Sequence, residues 1–272
     1  MTGIFQCATA HAAEPSSYKK ALESPDKDKW IDAMQEEFQS LEEMGTWKMV
    51  DIPKGRKIVG CKWVFKAKIG VDGEVICYKA HLVAKGYTQI YGIDFEETHA
   101  PVTRLESIRA LLALAAHHDW EVRQIDVKTT YLYGDLDEEI YMAIPEGIEA
   151  PPGKCYQLLK ALYGLKQAGR QWYLKLKEVL TQFSMRQLPS DPNTFVTHKV
   201  IEGVKKTLIL PVYVDDLLPH RVHKRVSEAR KLYQKPLNKN NYNLSFLLFN
   251  LLIRSLNFLP FFTHWIYYAK FI

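Results

Sequence analysis

The stretch that decides the fold is Leu208-Ile209-Leu210-Pro211-Val212-Tyr213-Val214-Asp215-Asp216. It is an almost continuous apolar run that ends in two adjacent carboxylates. A run of this length between charged segments favours a central strand over a helix. An aspartate pair that follows a strand is also common at the tip of a solvated hairpin, and on the pair alone that interpretation is preferred.

A second predicted strand carries another carboxylate. Glu121 to Val127 is predicted to be a strand, and Asp126 lies near its end. Two such strand ends are costly to place side by side unless a cation lies between them. Two divalent ions about 3.5–4 Å apart could activate a hydroxyl and stabilise a leaving pyrophosphate. Mg²⁺, or Mn²⁺ in its place, suits these oxygen ligands. Because adjacent residues point to opposite sides, Asp126 and Asp215 are the predicted main ligands.

Two alternating segments predict a hairpin with one basic face. Apolar and lysine side chains alternate from Lys62 to Ile69, and the alternation resumes from Tyr78 to Lys85 after an Asp72-Gly73 turn. The apolar face is expected to be buried. The opposite face carries Lys79 and Lys85, so the hairpin presents cations.

Three segments have the periodicity of helices. Apolar residues recur at helical spacing from Pro25 to Met44 and from Gln167 to Phe183. Thr103 and Glu106 have the spacing of a capping box and predict a buried amphipathic helix that ends near His118. This mixture of helices and strands predicts an α+β fold.

Charge is divided unevenly along the chain. Residues 1–150 contain 17 Lys and Arg against 25 Asp and Glu, and residues 151–272 contain 19 against 6, which gives net charges of −8 and +13. The basic half suits a polyanionic partner such as nucleic acid, although solvated lysines are the commoner explanation. The four cysteines form no Cys-x-x-Cys pair, so neither a zinc site nor a redox motif is indicated.

Nine ordered blocks carry a resemblance to a known family. They are Gly45-Thr46-Trp47, Cys61-Lys62-Trp63-Val64-Phe65-Lys66, Tyr78-Lys79-Ala80-His81-Leu82-Val83-Ala84-Lys85-Gly86, Glu97-Thr98-His99-Ala100-Pro101-Val102, Gln124-Ile125-Asp126-Val127-Lys128, Glu139-Ile140-Tyr141-Met142, Lys160-Ala161-Leu162-Tyr163-Gly164-Leu165-Lys166-Gln167-Ala168, Trp172-Tyr173 and Tyr213-Val214-Asp215-Asp216. Over residues 14–218 the chain resembles the reverse transcriptases of copia-type retrotransposons. The resemblance implies a right-hand polymerase with fingers and a ferredoxin-like palm sheet with helices.

The resemblance also implies roles for particular residues. It places the first catalytic aspartate at Asp126 and the catalytic dipeptide at Asp215 and Asp216. Tyr131 stands where this class keeps an aromatic ring against the sugar, which would exclude a ribose 2′-hydroxyl; a core tyrosine is the alternative interpretation. Gln167 matches a position near the incoming nucleotide and the template strand.

The implied ligands are those of a polymerase. Lys79 and Lys85 are candidates for binding the triphosphate, although single lysines more often face solvent. The implied partners are an RNA template, a DNA primer, deoxynucleoside triphosphates and other segments of the retroelement polyprotein. The implied location is the cytoplasm, in virus-like particles. No unbroken apolar run reaches the length of about 20 residues that a bilayer span needs, so a membrane partner is not expected.

The chain departs from the family at several positions. His81, His99, Thr130 and Gly169 stand where the family has Arg, Phe, Ala and Pro, and a histidine at 81 is expected to weaken nucleotide binding. Pro219 lacks a backbone donor and is expected to damage the return strand after Asp216. No thumb or ribonuclease H pattern is recognisable after it, so the thumb is expected to be missing or scrambled.

The predicted organisation has four segments. They are an N-terminal flank (1–24), an N-terminal helix with fingers (25–102), a palm (103–218) and a basic, then apolar tail (219–272). An RNA-directed DNA polymerase is the favoured function. The alternatives are an inactive relic that only binds nucleic acid, a membrane anchor in the tail, and a metal-dependent nuclease, against which the polymerase motifs argue.

Overall fold

The computed structural model describes residues 14–127, 129–201 and 204–222, and for Asp126 it describes the backbone alone. The chain divides into two compact units. The first contains the described residues up to His99 together with Tyr131–Trp172, and the second contains Ala100–Thr130 and the described residues from Tyr173 onward. Of the predicted tail (219–272), the part from residue 223 onward lies outside the described residues.

The elements are numbered in chain order. The helices are α1 (Tyr18–Glu23), α2 (Lys27–Glu43), α3 (Leu105–His118) and α4 (Ala168–Gln182). The strands are β1 (Trp47–Asp51), β2 (Ile58–Val59), β3 (Cys61–Ile69), β4 (Val75–Ala84), β5 (Glu121–Val122), β6 (Ile125–Asp126), β7 (Asp135–Met142), β8 (Lys154–Lys160), β9 (Arg186–Leu188), β10 (Asp191–Ile201), β11 (Val204–Tyr213), β12 (Asp216–Leu217) and β13 (His220–Val222). The α+β prediction is therefore confirmed.

The hairpin of the first unit forms as the alternation predicts. Strands β3 and β4 are antiparallel, with Trp63 opposite Leu82 and Phe65 opposite Ala80 on the buried face. Helix α2 covers this face, and the ring centroid of its Trp30 lies 5.3 Å from that of Phe65. The burial of these large rings away from water is the main source of stability in this part of the unit.

A four-stranded sheet completes the first unit. Its order is β1-β8-β7-β2, with a parallel pairing between β2 and β7 and antiparallel pairings elsewhere. Trp47 of β1 stacks on Tyr156 of β8 with ring centroids 4.6 Å apart. Because β7 and β8 pair with β1 and β2, Tyr131–Trp172 belongs to the N-terminal unit rather than to one continuous C-terminal segment.

The second unit is built on a larger sheet. Its order is β5-β13-β11-β10-β9, and β12 additionally pairs with both β11 and β6. The predicted central strand is therefore confirmed as β11, which pairs with three other strands. The strand predicted from Glu121 to Val127 is divided into the short strands β5 and β6, because Arg123 and Gln124 lie between them without strand pairing.

Helix α3 differs from its prediction in two respects. Ala115 is its one fully buried residue, and Leu105 is 54% exposed, so the expectation of a buried helix was wrong. The expected capping box was also wrong. The N-cap residue is Arg104, and the hydroxyl of Thr103 is instead bonded to the backbone of Asn193 and Val212. Tertiary contacts have taken the side chain that would have capped the helix.

The return strand after Asp216 is less damaged than expected. Strand β12 pairs with β11 and β6 before Pro219, and β13 pairs with β11 and β5 after it. The carbonyl of Pro219 accepts a hydrogen bond from the Arg123 amide at 3.1 Å. The missing donor thus interrupts the strand locally without ending the pairing. In the part of the chain that the structure describes, no helix combines the length and the apolar character needed to cross a bilayer.

Candidate active site

The two adjacent aspartates lie at a tight turn. Tyr213, the last residue of β11, pairs with Asp216, the first residue of β12, so Val214 and Asp215 form a two-residue loop. Val214 has a φ of 56°, whereas Asp215 has no positive φ. A positive φ at the first loop residue alone is the pattern of a type II′ turn. A β-branched residue rarely adopts it, and such strain costs about 1–3 kcal/mol.

The third aspartate lies on the neighbouring strand. In the pairing of β6 with β12, Asp126 is opposite Asp216 and Ile125 is opposite Leu217. The amide of Val127 donates to the carbonyl of Asp215 at 3.1 Å. The backbones of the three predicted catalytic residues are therefore brought together on adjacent strands. The side chain of Asp126 lies outside the described part, and the catalytic role of all three stays a prediction.

The two described carboxylates have different surroundings. Asp216 is half-buried, and its Oδ1 accepts a hydrogen bond from Nε2 of Gln124 at 3.0 Å. Asp215 is also half-buried, and among the described residues no hydrogen bond or ion pair engages its carboxylate. Gln124 was not singled out from the sequence. Its position two residues before Asp126, just ahead of the strand that pairs with β12, is the signal that could have identified it.

The donor chemistry suits a hard divalent cation. Carboxylate oxygens are the ligands that Mg²⁺ and Mn²⁺ prefer, and an unpaired, half-buried carboxylate such as that of Asp215 is stabilised by a cation. Among the side chains that the structure describes, no three of the metal-ligating types come together as a site. The predicted metal ligands stay Asp126 and Asp215, and Asp216 is the neighbouring carboxylate at the same turn.

A pocket of about 190 Å³ lies beside the turn. Its lining combines apolar residues of the α3 helix and the return strand with polar groups of the site: Leu105, Ile108, Gln124, Tyr213, Asp216 and Leu218. The pocket therefore includes Gln124 and Asp216 of the candidate site and provides an apolar surface next to their side chains.

Tyr131 is held by another aromatic ring. It is half-buried in the first unit, and its ring meets that of Tyr163 edge to face, with centroids 4.7 Å apart. The ring of His81 also lies near that of Tyr163, with the two centroids 5.6 Å apart. These contacts fix the direction of the Tyr131 ring. Its predicted role against the sugar stays a prediction.

Gln167 is a fully buried side chain just before α4. Its Nε2 donates to the carbonyl of Asp94 at 2.8 Å and to Oε2 of Glu138 at 3.2 Å, while its Oε1 accepts from Gln89 at 3.0 Å. The amide therefore ties the loop that contains Gln89 and Asp94 to the start of α4. Its predicted contact with nucleotide and template stays a prediction.

The basic face of the hairpin is present in the structure. Lys79 lies directly opposite Lys66, and like charges in this arrangement repel unless an anion is near. Lys66 forms an ion pair with Glu14 at 2.9 Å. Lys85 is half-buried, and its side-chain stem lies against Gly60. Nδ1 of His81 lies 3.3 Å from Oε1 of Glu37, so this histidine is held beside a carboxylate, and its expected effect on nucleotide binding stays a prediction.

Comparison with known proteins finds similarity over most of the chain. Residues 44–244 match the family model described as reverse transcriptase (RNA-dependent DNA polymerase). The chain is 47% identical over 207 residues to the retrovirus-related Pol polyprotein from transposon TNT 1-94 of Nicotiana tabacum, covering 75% of the chain and 15% of that protein.

Two further relatives come from Arabidopsis thaliana. The Pol polyproteins from transposons RE1 and RE2 are each 38% identical, over 217 and 218 residues, and the match covers 79% of the chain in both cases. The chain spans 14–15% of the length of these three curated relatives. It belongs to the reverse transcriptase (RNA-dependent DNA polymerase) family, as the reverse transcriptase region of a retrotransposon polyprotein.

Proposed function

We propose that this chain is an RNA-directed DNA polymerase that adds deoxynucleotides to a primer 3′-hydroxyl at a site for two divalent ions. The observation that carries the proposal is the pairing of β6 with β12, which sets Asp126 opposite Asp216. The hydrogen bond from the Val127 amide to the Asp215 carbonyl continues this pairing to the turn. Aspartates on adjoining strand ends need compensating positive charge where their carboxylates converge, and divalent ions supply it.

In the proposed mechanism, Asp126 and Asp215 would hold Mg²⁺ or Mn²⁺ through their carboxylate oxygens. When bound, the ions make the primer hydroxyl more acidic and offset the charge that develops on the leaving pyrophosphate. Asp216 adds negative charge to the same turn, and the hydrogen bond from Gln124 fixes the direction of its carboxylate. The strained two-residue loop holds Asp215 at the tip.

The remaining predicted residues act on the substrates in this proposal. Lys79 and Lys85 attract the triphosphate, Tyr131 excludes a ribose 2′-hydroxyl, and Gln167 supports the nucleotide and template through the loop that it holds. An RNA template, a DNA primer and other polyprotein segments are the proposed partners, and cytoplasmic particles are the proposed location. The residue roles and the location rest on the resemblance of the motifs to those of the family, and the match of residues 44–244 with the reverse transcriptase model supports a nucleic-acid template in general.

Primer extension tests the proposal. The purified chain is incubated with a primed RNA template, deoxynucleoside triphosphates and Mg²⁺, and Asp215→Asn is compared with Asp119→Asn. Asp119 is exposed, lies in the same unit and has a left-handed backbone that asparagine also tolerates. We expect extension by the parent chain and by Asp119→Asn, and none by Asp215→Asn.

Two other outcomes count against a polymerase. Equal extension by Asp215→Asn would mean that the carboxylate is not part of the reaction. Binding of the primed template that weakens steeply with salt, without extension by the parent chain, would favour a remnant that only binds nucleic acid.

A further inference from the structure

A buried polar cluster lies on the β11 strand just before the turn. The backbone pairing of β10 with β11 extends as far as Thr194 opposite Pro211 and ends before Val212. A buried backbone amide and carbonyl without partners would be strongly destabilising. Thr103 and Asn193 supply those partners, and we name these two residues the Val212 clamp.

The Val212 clamp bonds both backbone groups of one residue. The amide of Val212 donates to Oγ1 of Thr103 at 3.0 Å, and its carbonyl accepts from the Thr103 amide at 3.2 Å. The same carbonyl accepts from Nδ2 of Asn193 at 2.6 Å. Thr103 also donates its hydroxyl to the carbonyl of Asn193 at 2.9 Å, so the two clamp residues are bonded to each other.

The clamp and the residue that it holds are buried. Thr103, Asn193 and Val212 are each 2% exposed. The carboxylate of Asp191 accepts from the amides of Arg104 at 3.1 Å and Asn193 at 3.2 Å, which ties the start of α3 to the start of β10. Hydrogen bonds in such an environment are stronger than in water, and a bond that is lost leaves an unpaired group behind.

The clamp lies close to the strained turn in sequence. Val212 precedes Val214, whose φ is 56°, and Asp215 follows directly. A conformation of this kind persists only where neighbouring contacts over-determine it. On one side, β6 supplies the pairing with Asp216, and Val127 directly after β6 donates to the Asp215 carbonyl. On the other side, the clamp fixes the backbone of Val212.

We propose that Thr103 and Asn193 are positioning residues for the Asp215 carboxylate, and that they act through the backbone of Val212. This inference rests on the proposed role of Asp215 as a metal-holding residue. Neither clamp residue touches the reacting groups. Loss of the Thr103 hydroxyl leaves the Val212 amide unpaired, lets the turn relax and moves Asp215 away from the position in which it holds a cation.

The test compares Thr103→Val, which removes the hydroxyl at nearly constant volume, with Thr103→Ser, which keeps it. Two properties of the full chain are measured: the Mg²⁺ concentration that gives half-maximal primer extension, and the affinity for Mn²⁺ followed by electron paramagnetic resonance. For Thr103→Val we expect the half-maximal Mg²⁺ concentration to rise about tenfold and the affinity for Mn²⁺ to fall about tenfold, with little change in the KM for nucleotide. One buried hydrogen bond can produce a change of this size. Thr103→Ser should stay within about twofold of the parent.

The outcomes separate this inference from the proposed function. A folded Thr103→Val chain with unchanged metal dependence and unchanged Mn²⁺ affinity would overturn the inference alone. If Thr103→Val does not fold, Asn193→Ala, which removes the donor to the Val212 carbonyl, must show the same weakening of the metal response, or the inference is wrong. A parent chain that neither extends primers nor binds Mn²⁺ overturns the inference and the proposed function together. An active Asp215→Asn chain overturns the proposed role of Asp215, and with it the inference that rests on that role.

Discussion

Asp126 and Asp216 lie directly opposite each other in the antiparallel pairing of β6 with β12, and the adjacent backbone bond joins Val127 to the carbonyl of Asp215 at 3.1 Å. This relationship links two segments that are far apart in sequence. Since each strand is only two residues long, the pairing depends on the larger sheet that carries β11 and β13. The backbones of Asp126, Asp215 and Asp216 are thus brought together by the fold of the second unit.

The backbone strain at Val214 predicts a stabilising substitution. Glycine adopts a positive φ without steric cost, so Val214→Gly should raise the free energy of unfolding by about 1 kcal/mol after the entropy of glycine is subtracted. Urea unfolding followed by circular dichroism measures the change. Val212→Gly, in the neighbouring strand, is the control and should lower the free energy. A destabilised Val214→Gly chain would show that the turn carries no strain.

The two glycines Gly164 and Gly153 predict different responses to alanine. Both have a positive φ, but a Cβ at Gly164 would lie 2.1 Å from the carbonyl oxygen of Ala84, whereas a Cβ at Gly153 would meet nothing within 4 Å. Gly153→Ala should cost about 1–2 kcal/mol, from the backbone conformation alone. Gly164→Ala should cost about 4 kcal/mol or more, because backbone must move. Equal losses in thermal or urea unfolding would contradict the close approach of these two segments.

The buried His220 predicts that the second unit loses stability in acid. Burial lowers the pKa of this imidazole, partly opposed by the bond from its Nδ1 to the carbonyl of Leu218 at 2.6 Å. Within the described part of the chain its Nε2 has no hydrogen-bond partner. The unfolded chain therefore binds a proton more readily than the folded one below a pH of about 6.5, and stability falls as the pH falls through that value.

His220 can change the free energy of unfolding by at most about 1.4 kcal/mol per pH unit, because it takes up a single proton. Urea unfolding at several pH values between about 5 and 7 measures it, and His220→Phe should flatten the curve in this window because it cannot take up the proton. A parallel curve for parent and variant would show that other groups cause the dependence.

The basic face of the hairpin predicts how nucleic-acid binding depends on salt. If Lys79 contacts a phosphate, Lys79→Ala should reduce the slope of log K against log salt by about 1, and Lys85→Ala should do the same. Lys175 forms an ion pair with Glu178 at 3.0 Å, so Lys175→Ala is the matched control and should leave the slope unchanged. Fluorescence anisotropy with a labelled primed template gives these slopes. An identical slope for all four chains would remove the two lysines from the interface.

Local patterns were enough to predict part of this fold. The helix that contains Trp30 and the hairpin with Trp63 and Phe65 follow from apolar periodicity, because one face of each element is buried against the other. Strand β7 was not predicted. It begins Asp135-Leu136-Asp137-Glu138-Glu139, and its position in a sheet is decided by its pairing with β8 rather than by its own composition.

The candidate site, too, could be predicted only in part from the sequence. The three aspartates could be identified from strand ends and motifs, and the register between Asp126 and Asp216 came only with the fold. Thr103 was misread as a helix cap, because its spacing to Glu106 is local whereas its hydroxyl bonds Val212, far along the chain. Asn193 gave no local signal, and the signal for Gln124 was only its position two residues before Asp126, since each acts through a partner on another strand.

Iron-mediated cleavage tests most directly whether the two strand ends hold a metal together. Fe²⁺ replaces Mg²⁺ in the full chain, ascorbate and peroxide generate hydroxyl radicals at the bound ion, and mass spectrometry locates the cuts. We expect cuts near Asp126 and near Val214-Asp215-Asp216, which excess Mg²⁺ suppresses and which are absent in Asp215→Asn but present in Asp119→Asn. Cuts at other positions only, or cuts near these residues that persist in Asp215→Asn, would contradict a metal site shared by the two strands.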